Sequence, residues 1–242
     1  MELPQILLVV LSALVAYIIG AVPTAYLFGR WLKGINIREY GSKNVGATNA
    51  IRVLGKGPGA VVLAIDILKG VVPTVWVARA LGIHDPMALV TIGLAAVIGH
   101  NWTIFLGFKG GKGVATSLGV IIGLAVQIPG VRPVLGLTLA VWLTIFLTFG
   151  YVSLASICAA TVFPLFTAAF NAPFPIQVMA ILLCVFIVLR HKANISRLAQ
   201  GKETRVKLVT FSQNRPNGLV FASLDVILPL ETSNKITGIQ LT

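Results

Sequence analysis

Residues 99–118 read GHNWTIFLGFKGGKGVATSL, and their reading decides what kind of chain this is. An apolar run carrying His100 ends in Phe108-Lys109-Gly110-Gly111-Lys112-Gly113, and a second apolar run begins almost at once. Two lysines interleaved with three glycines set backbone N–H groups beside fixed positive charge, a combination suited to an anion and above all to a phosphate. The flanking apolar runs put that anion where membrane gives way to water. The expectation is a membrane-embedded enzyme that handles phosphorylated substrates at one bilayer face.

The rest of the chain repeats this alternation. Of its 242 residues 57% are hydrophobic and 11% charged, and the mean hydropathy is +0.93, which is not the balance of a water-soluble domain. The expected fold class is an all-α, polytopic integral membrane protein, because backbone exposed to lipid must satisfy its hydrogen bonds within the helix. Seven apolar stretches are long enough to be spans or short spans: 3–28, 59–80, 87–106, 114–128, 134–149, 153–170 and 175–189. The first is expected to bend at Pro23, and the fourth is the shortest. The opening Met1-Glu2-Leu3-Pro4 lacks a basic segment, so the first run reads as a retained span and not a cleaved signal. Cys158 and Cys184 fall inside apolar runs and read as small packing residues, not as a disulfide.

The net charge of +12 does not mark a nucleic-acid binder, because the basic residues lie between spans and are not interleaved with aromatics on a soluble surface. With the N-terminus outside, all but Lys69, Arg79 and Arg132 of the 19 lysines and arginines fall on the inner side, as the positive-inside rule requires. The C-terminus is then cytoplasmic. Three polar or basic clusters, at 41–52, 99–116 and 190–203, are delivered to that same side by the first, third and seventh spans.

The first cluster is Gly41-Ser42-Lys43-Asn44-Val45-Gly46-Ala47-Thr48-Asn49, with Arg52 beyond it. Ser42, Asn44, Thr48 and Asn49 supply hydrogen bonds to phosphate or hydroxyl oxygens, Gly46 lets the backbone turn tightly, and Arg52 adds a fork matched to phosphate. Taken alone it is equally an ordinary polar turn before a helix. The second cluster fits neither a Walker A loop nor a Gly-x-Gly-x-x-Gly frame. Its lysines and glycines exceed what topology alone asks for, and His100 sits near its mouth. The third, Arg190-His191-Lys192-Ala193-Asn194-Ile195-Ser196-Arg197, sets Arg190, His191, Asn194 and Arg197 on one face if the last span continues as a helix. A basic juxtamembrane helix on anionic lipid is the plainer account of it. Glu203 is expected to pair with a neighbouring Arg or Lys. Asp66 and Lys69, three apart within the second span, are expected to pair with each other.

Absent motifs narrow the chemistry. There is no Gly-x-Ser-x-Gly elbow, no His-x4-Asp pair, and no cluster of acids, His or Cys with metal-ligand spacing. No metal and no cofactor are expected, so an enzyme acting on phosphate here needs a reactive substrate.

Together the three clusters resemble the acyl-phosphate:glycerol-3-phosphate acyltransferases of bacterial phospholipid synthesis. The family pattern Gly-Ser-Gly-Asn-x-Gly-Ala-Thr-Asn appears as GSKNVGATN, its Gly-His-x-x-Pro-x-Phe-Leu-x-Phe-Lys-Gly-Gly-Lys-Gly-Val-Ala-Thr as GHNWTIFLGFKGGKGVAT, and its Arg-His-x-x-Asn-Ile-x-Arg-Leu-x-x-Gly-x-Glu as RHKANISRLAQGKE. Lys43 stands where the family has glycine and Thr103 where it has proline. The likeness covers residues 1–206, expected to form one transmembrane acyltransferase domain, with 207–242 an extension whose apolar piece at 219–230 is too short to span.

The resemblance implies transfer of a fatty acyl group from acyl phosphate to the 1-hydroxyl of glycerol 3-phosphate, giving lysophosphatidate and phosphate. The partners implied are those two substrates and membrane lipid; the place implied is the cytoplasmic face of the bacterial plasma membrane. An acyl phosphate is already activated, so the protein must mainly align two anions and stabilise transition-state charge. Ser42, Arg52 and His191 are the expected catalytic residues. Asn44, Gly46, Thr48, Asn49, His100, Lys109, Gly110, Gly111, Lys112, Gly113, Thr116, Asn194 and Arg197 are expected to bind substrate. Either His191 or the leaving phosphate can take the hydroxyl proton. A transporter of phosphorylated solutes would instead show mid-membrane polar breaks and an inverted repeat, and a lipid-binding scaffold would leave the spacing of the clusters unexplained.

Overall fold

The computed structural model describes residues 2–206; the extension 207–242 lies outside the described residues. Among these, α1 (Leu3–Ala21) and α2 (Thr24–Lys33) are two parts of one broken apolar helix. The break falls at Val22-Pro23, where proline cannot donate to the preceding turn. A short helix, α3 (Ala47–Leu54), leads into α4 (Lys56–Ala80). The remaining elements are α5 (Pro86–Asn101), α6 (Val114–Gln127), α7 (Arg132–Phe149), α8 (Val152–Ala169), α9 (Phe174–Arg190) and α10 (Lys192–Ala199).

Five helical stretches are long and apolar enough to cross a membrane, and α9 joins them when taken with α10, from which it is bent by 59°. The 14-residue α6 matches the short fourth span; at 1.5 Å per residue it reaches roughly 21 Å, less than the hydrocarbon core. Eight of its residues, from Thr116 to Ala125, are buried among other helices, so most of its length meets protein and not lipid. The protein is a multi-pass membrane protein.

Helices pair through small residues. A Cβ on Gly20 of α1 would lie 2.0 Å from the Ala96 carbonyl of α5, and one on Gly119 of α6 would lie 1.9 Å from the Ile67 carbonyl of α4. Such contacts bring backbones close where lipid gives no hydrophobic drive for association. Leu89, Ile92 and Val97 of α5 form the core with Val120 and Leu124 of α6, Phe163 of α8, and Ile176, Met179 and Leu183 of α9. By contrast α7 buries only Val134 fully and packs along one side against α8, where the Trp142 indole donates to the Ser156 hydroxyl at 3.2 Å. Cys158 and Cys184 are free and only partly covered, because each sits on the flank of its helix and not in the core.

Two features depart from the straight-helix expectation. In α4, a π-helical stretch at Val72–Val77 takes in Pro73, and the Thr74 hydroxyl donates to the Gly70 carbonyl at 2.7 Å. At the other end of the chain, the helix does not run on past Arg190. His191 leaves helical geometry (φ −99, ψ 8) and α10 sets off in a new direction.

Candidate functional site

Residues 40–46 form a loop wrapped around one buried side chain. The Asn49 amide oxygen accepts the Ser42 backbone N–H at 2.8 Å, and its nitrogen donates to the carbonyls of Asn44 (2.8 Å), Tyr40 (3.2 Å) and Ile37 (3.3 Å). Asn49 is only 1% exposed and its polar atoms are fully engaged, so it shapes the loop from behind. Gly41 (φ +57) is required here, since a Cβ would lie 2.4 Å from the Asn49 oxygen. Lys43 also has positive φ, 60°. That is a left-handed conformation that glycine adopts freely and lysine does not. The Ser42 and Thr48 side chains are exposed, Asn44 is half-buried, and Gly46 caps α3. On α3, Arg52 is half-buried and forms no ion pair among the described residues.

The lysine loop is held quite differently. The Gly110 N–H donates to the Asn101 carbonyl at 3.1 Å and the Gly111 N–H to the His100 carbonyl at 2.9 Å, so the loop closes the C-terminus of α5. The sequence reading offered these two N–H groups to an anion, but they are spent on the helix end. Their glycines are there for closeness instead: a Cβ would lie 2.0 Å from the His100 carbonyl at Gly110, and 2.1 Å from the His100 ring Nε2 at Gly111. The free donors come next. Among the described residues, no acceptor takes the backbone N–H of residues 112, 113, 114, 115 or 116, a run leading into the first turn of α6. Thr116 and Asn101 are fully buried beside this run, and the Thr116 hydroxyl and both Asn101 amide atoms are without partners.

The third cluster locks onto the second. The Arg190 guanidinium donates to the carbonyls of Gly110 (2.6 Å) and Gly111 (2.9 and 2.7 Å). From α10, the Asn194 amide oxygen accepts the Lys112 ammonium, and its nitrogen donates to Glu203 at 2.6 Å. Glu203 also takes the Arg197 guanidinium at 2.7 Å and the Ser153 hydroxyl at 2.8 Å. Burial pushes the Glu203 pKa up, but the hydrogen bonds from Asn194, Arg197 and Ser153 outweigh it and leave the carboxyl below its ordinary value. His191 is 2% exposed, with Nδ1 2.8 Å from the Ile187 carbonyl. A carbonyl only accepts, so Nδ1 carries a proton; burial and the nearby Lys112 charge lower the His191 pKa to about 4, which leaves Nε2 its lone pair.

Lys112 is where the clusters meet. Burial lowers its pKa to about 8; Glu203 opposes the shift, while the positive charges of Arg197, Arg52 and Arg190 add to it. Charged groups of all three segments therefore share one electrostatic field. Lys109, its partner in sequence, is exposed to solvent. Lys112 reaches inward, and Lys109 does not. Arg190 was expected only on the shared face of the last span, with no role assigned, and Ser153 and Asn101 were not expected at the site. Arg190 was signalled by its place next to His191; Ser153 and Asn101 are lone polar residues in apolar runs, and nothing in the sequence marks them.

A single end of the bundle thus carries a partly buried basic cradle with unpaired N–H donors and a neutral histidine. A family model described as glycerol-3-phosphate acyltransferase matches residues 10–201. The chain belongs to that family. It is 48% identical over 193 residues to a glycerol-3-phosphate acyltransferase of Geobacter sulfurreducens, covering 80% of this chain and 95% of that one. The corresponding protein of Gloeobacter violaceus is 44% identical over 79% of this chain and 91% of its own. Among solved structures, crystal structures of PlsY (YgiH), an integral membrane glycerol 3-phosphate acyltransferase, are 40% identical. The glycerol 3-phosphate form superposes with a TM-score of 0.75 over 82% of this chain and 96% of that one, and the lysophosphatidic acid form with 0.72.

Proposed function

We propose that this chain moves a fatty acyl group from acyl phosphate to the 1-hydroxyl of glycerol 3-phosphate, at the cytoplasmic face of the bacterial plasma membrane. Its relatives are named glycerol-3-phosphate acyltransferases, and PlsY has structures with a glycerol 3-phosphate form and a lysophosphatidic acid form. The observation that carries the reading is the run of unpaired N–H groups at 112–116 beside the Lys112 ammonium. Helix-start N–H groups with a cation alongside are a phosphate cradle.

In this reading the 1-hydroxyl oxygen attacks the acyl carbonyl carbon, the bond from that carbon to the phosphate oxygen breaks, and phosphate leaves with the bonding pair. Lys112, Arg52 and the 112–116 N–H groups hold phosphate and offset the charge that builds on the leaving group. Ser42, Asn44 and Thr48 orient the donor or the glycerol hydroxyls, with Asn49 and Gly46 fixing their loop. Asn194 and Arg197 border the glycerol phosphate side. His191 Nε2 is free to take the hydroxyl proton, and the leaving phosphate is the other acceptor. The acyl chain lies between helices, open to lipid. The cytoplasmic placement rests on the lysine and arginine bias of the loops at the site's end of the bundle, and residues 1–206 are the acyltransferase unit.

The test is direct. Purified protein given acyl phosphate and labelled glycerol 3-phosphate should yield labelled lysophosphatidate and one phosphate per ester; activity only with an acyl thioester would overturn the donor assignment. A pH–rate profile unchanged in His191→Gln would pass the proton to phosphate.

A further inference from the structure

Beneath the two anion-binding loops lies a buried cluster that the reaction above does not use. Asp66 is 1% exposed, Lys69 4% and His100 8%, all within apolar helices. The Lys69 ammonium contacts the Asp66 carboxylate at 2.5 Å and donates to the Val22 carbonyl at 2.7 Å, while His100 Nδ1 stands 3.9 Å from the same carboxylate oxygen. Val22 is the residue at which the first span breaks. Its carbonyl and that of Ala21 have lost their helical partners; the Val22 carbonyl accepts Lys69 and the Thr24 N–H (3.0 Å), and the Ala21 carbonyl accepts the Thr103 hydroxyl at 2.5 Å. Here Thr103, where the resembled family has proline, takes on a role proline cannot.

Against this cluster sits a small cavity lined by Lys69, His100, Thr24, Thr103, Val45 and Gly111, along with the broken joint. Val45 belongs to the first loop and Gly111 to the second, so both loops rest on one cavity. Its polar lining is incomplete: among the described residues the buried Thr24 hydroxyl has no partner, and Lys69 has two of its three ammonium hydrogens placed. The unfilled Thr24 hydroxyl and the third Lys69 hydrogen face a space the size of one water, which is what a single bridging water requires. The His100 ring lies directly under Gly111, whose N–H its own carbonyl accepts.

We propose that Asp66, Lys69 and His100, with a water in this cavity, are positioning residues that set the two anion-binding loops relative to each other. A charge pair in a span is costly, and elsewhere such pairs mark function. Here the pair joins the first-span break, α4 and the lysine loop, so the spacing between Arg52 on one side and Lys112 on the other depends on it. The inference rests on the proposed reading of those loops.

The experiment compares wild type with the neutral double variant Asp66→Asn/Lys69→Met, which leaves no unpaired buried charge. Measured in detergent are the melting temperature, the Kd for glycerol 3-phosphate by calorimetry, and KM and kcat. A positioning role predicts a folded variant whose Kd and KM for glycerol 3-phosphate both rise about tenfold or more, since small misplacements of binding groups are expensive. Unchanged Kd and KM overturn it, whether or not kcat falls, because a merely structural pair would only reduce the active fraction. A double variant that does not fold also overturns it, making the pair a requirement of the fold. The binding arm needs no donor, and wild-type turnover with acyl phosphate tests the proposed reaction separately.

Discussion

The two loops proposed to bind anions are built differently. The first is self-contained: Asn49, a few residues on, supplies the hydrogen bonds that shape residues 40–46, and Gly41 makes room for it. The second has no such internal anchor. It is clamped from outside, its N–H groups by the end of α5 and its carbonyls by Arg190 from the far end of the chain. Near neighbours alone shape the first loop, while the second also needs Arg190, about eighty residues on, so they should fail differently when broken.

The largest effect is expected from Asn49→Ala. Four hydrogen bonds disappear, and the carbonyls of Tyr40 and Asn44 in the loop and of Ile37 just before it lose their donor, so Ser42 and its neighbours are no longer held in place. A fall in kcat/KM of about 100-fold or more is expected, with the protein still folded in the membrane because the core helices are untouched. Retained activity would show that the loop is shaped by its ligand instead. Next comes Arg190→Lys. An ammonium cannot reproduce the fork that spans Gly110 and Gly111, and the lysine loop should loosen while the first loop stays intact. A loss of about tenfold is expected, seen mainly in KM. A loss as deep as that of Asn49→Ala would mean the two loops are one cooperative unit.

The lysines of the second loop sharpen the contrast further. With its pKa at about 8, Lys112 in the free enzyme gives up its proton as pH rises, so kcat/KM should drop about fourfold between pH 7 and 8.5. Folding stability should move the other way. The folded-state pKa lies below the ordinary value of 10.5, so the unfolded chain binds more protons between about 8 and 10.5, and stability gains as pH rises through that window. Lys109 is exposed to solvent, and Lys109→Ala should change kcat/KM by about twofold or less and leave the pH profile as it was.

How much of this was legible beforehand follows the same division. The apolar runs marked the long helices and the short α6, and Pro23 marked the break, because run length and proline are local properties. Ser42, Arg52, Lys112 and Asn194 were legible as site candidates because their clusters keep family spacing. What stayed hidden depends on distant partners. Nothing in Lys-Gly-Gly-Lys-Gly says that the first two N–H groups close a helix and that the free ones follow. The eight residues of α3 are too few for a helical period to stand out from a polar turn. No proline or glycine marks the bend at His191, where the Arg190 contacts and the Asn194–Lys112 contact lie on either side of the turn.

Lys43 gives the smallest effect and the cleanest one. It occupies φ 60 in a loop where the resembled family has glycine, and its side chain is exposed with no hydrogen-bond partner among the described residues. A left-handed lysine costs roughly 1–2 kcal/mol, but glycine in its place frees the unfolded chain, which takes back up to about 1 kcal/mol. Lys43→Gly should therefore raise stability by about 1 kcal/mol or less and leave kcat/KM nearly unchanged. If instead KM for the anionic substrates rises clearly in the glycine variant, the Lys43 ammonium is part of the cradle. The strained conformation would then be retained for its charge, and the first loop, like the second, would owe its affinity to a lysine held in place by the fold.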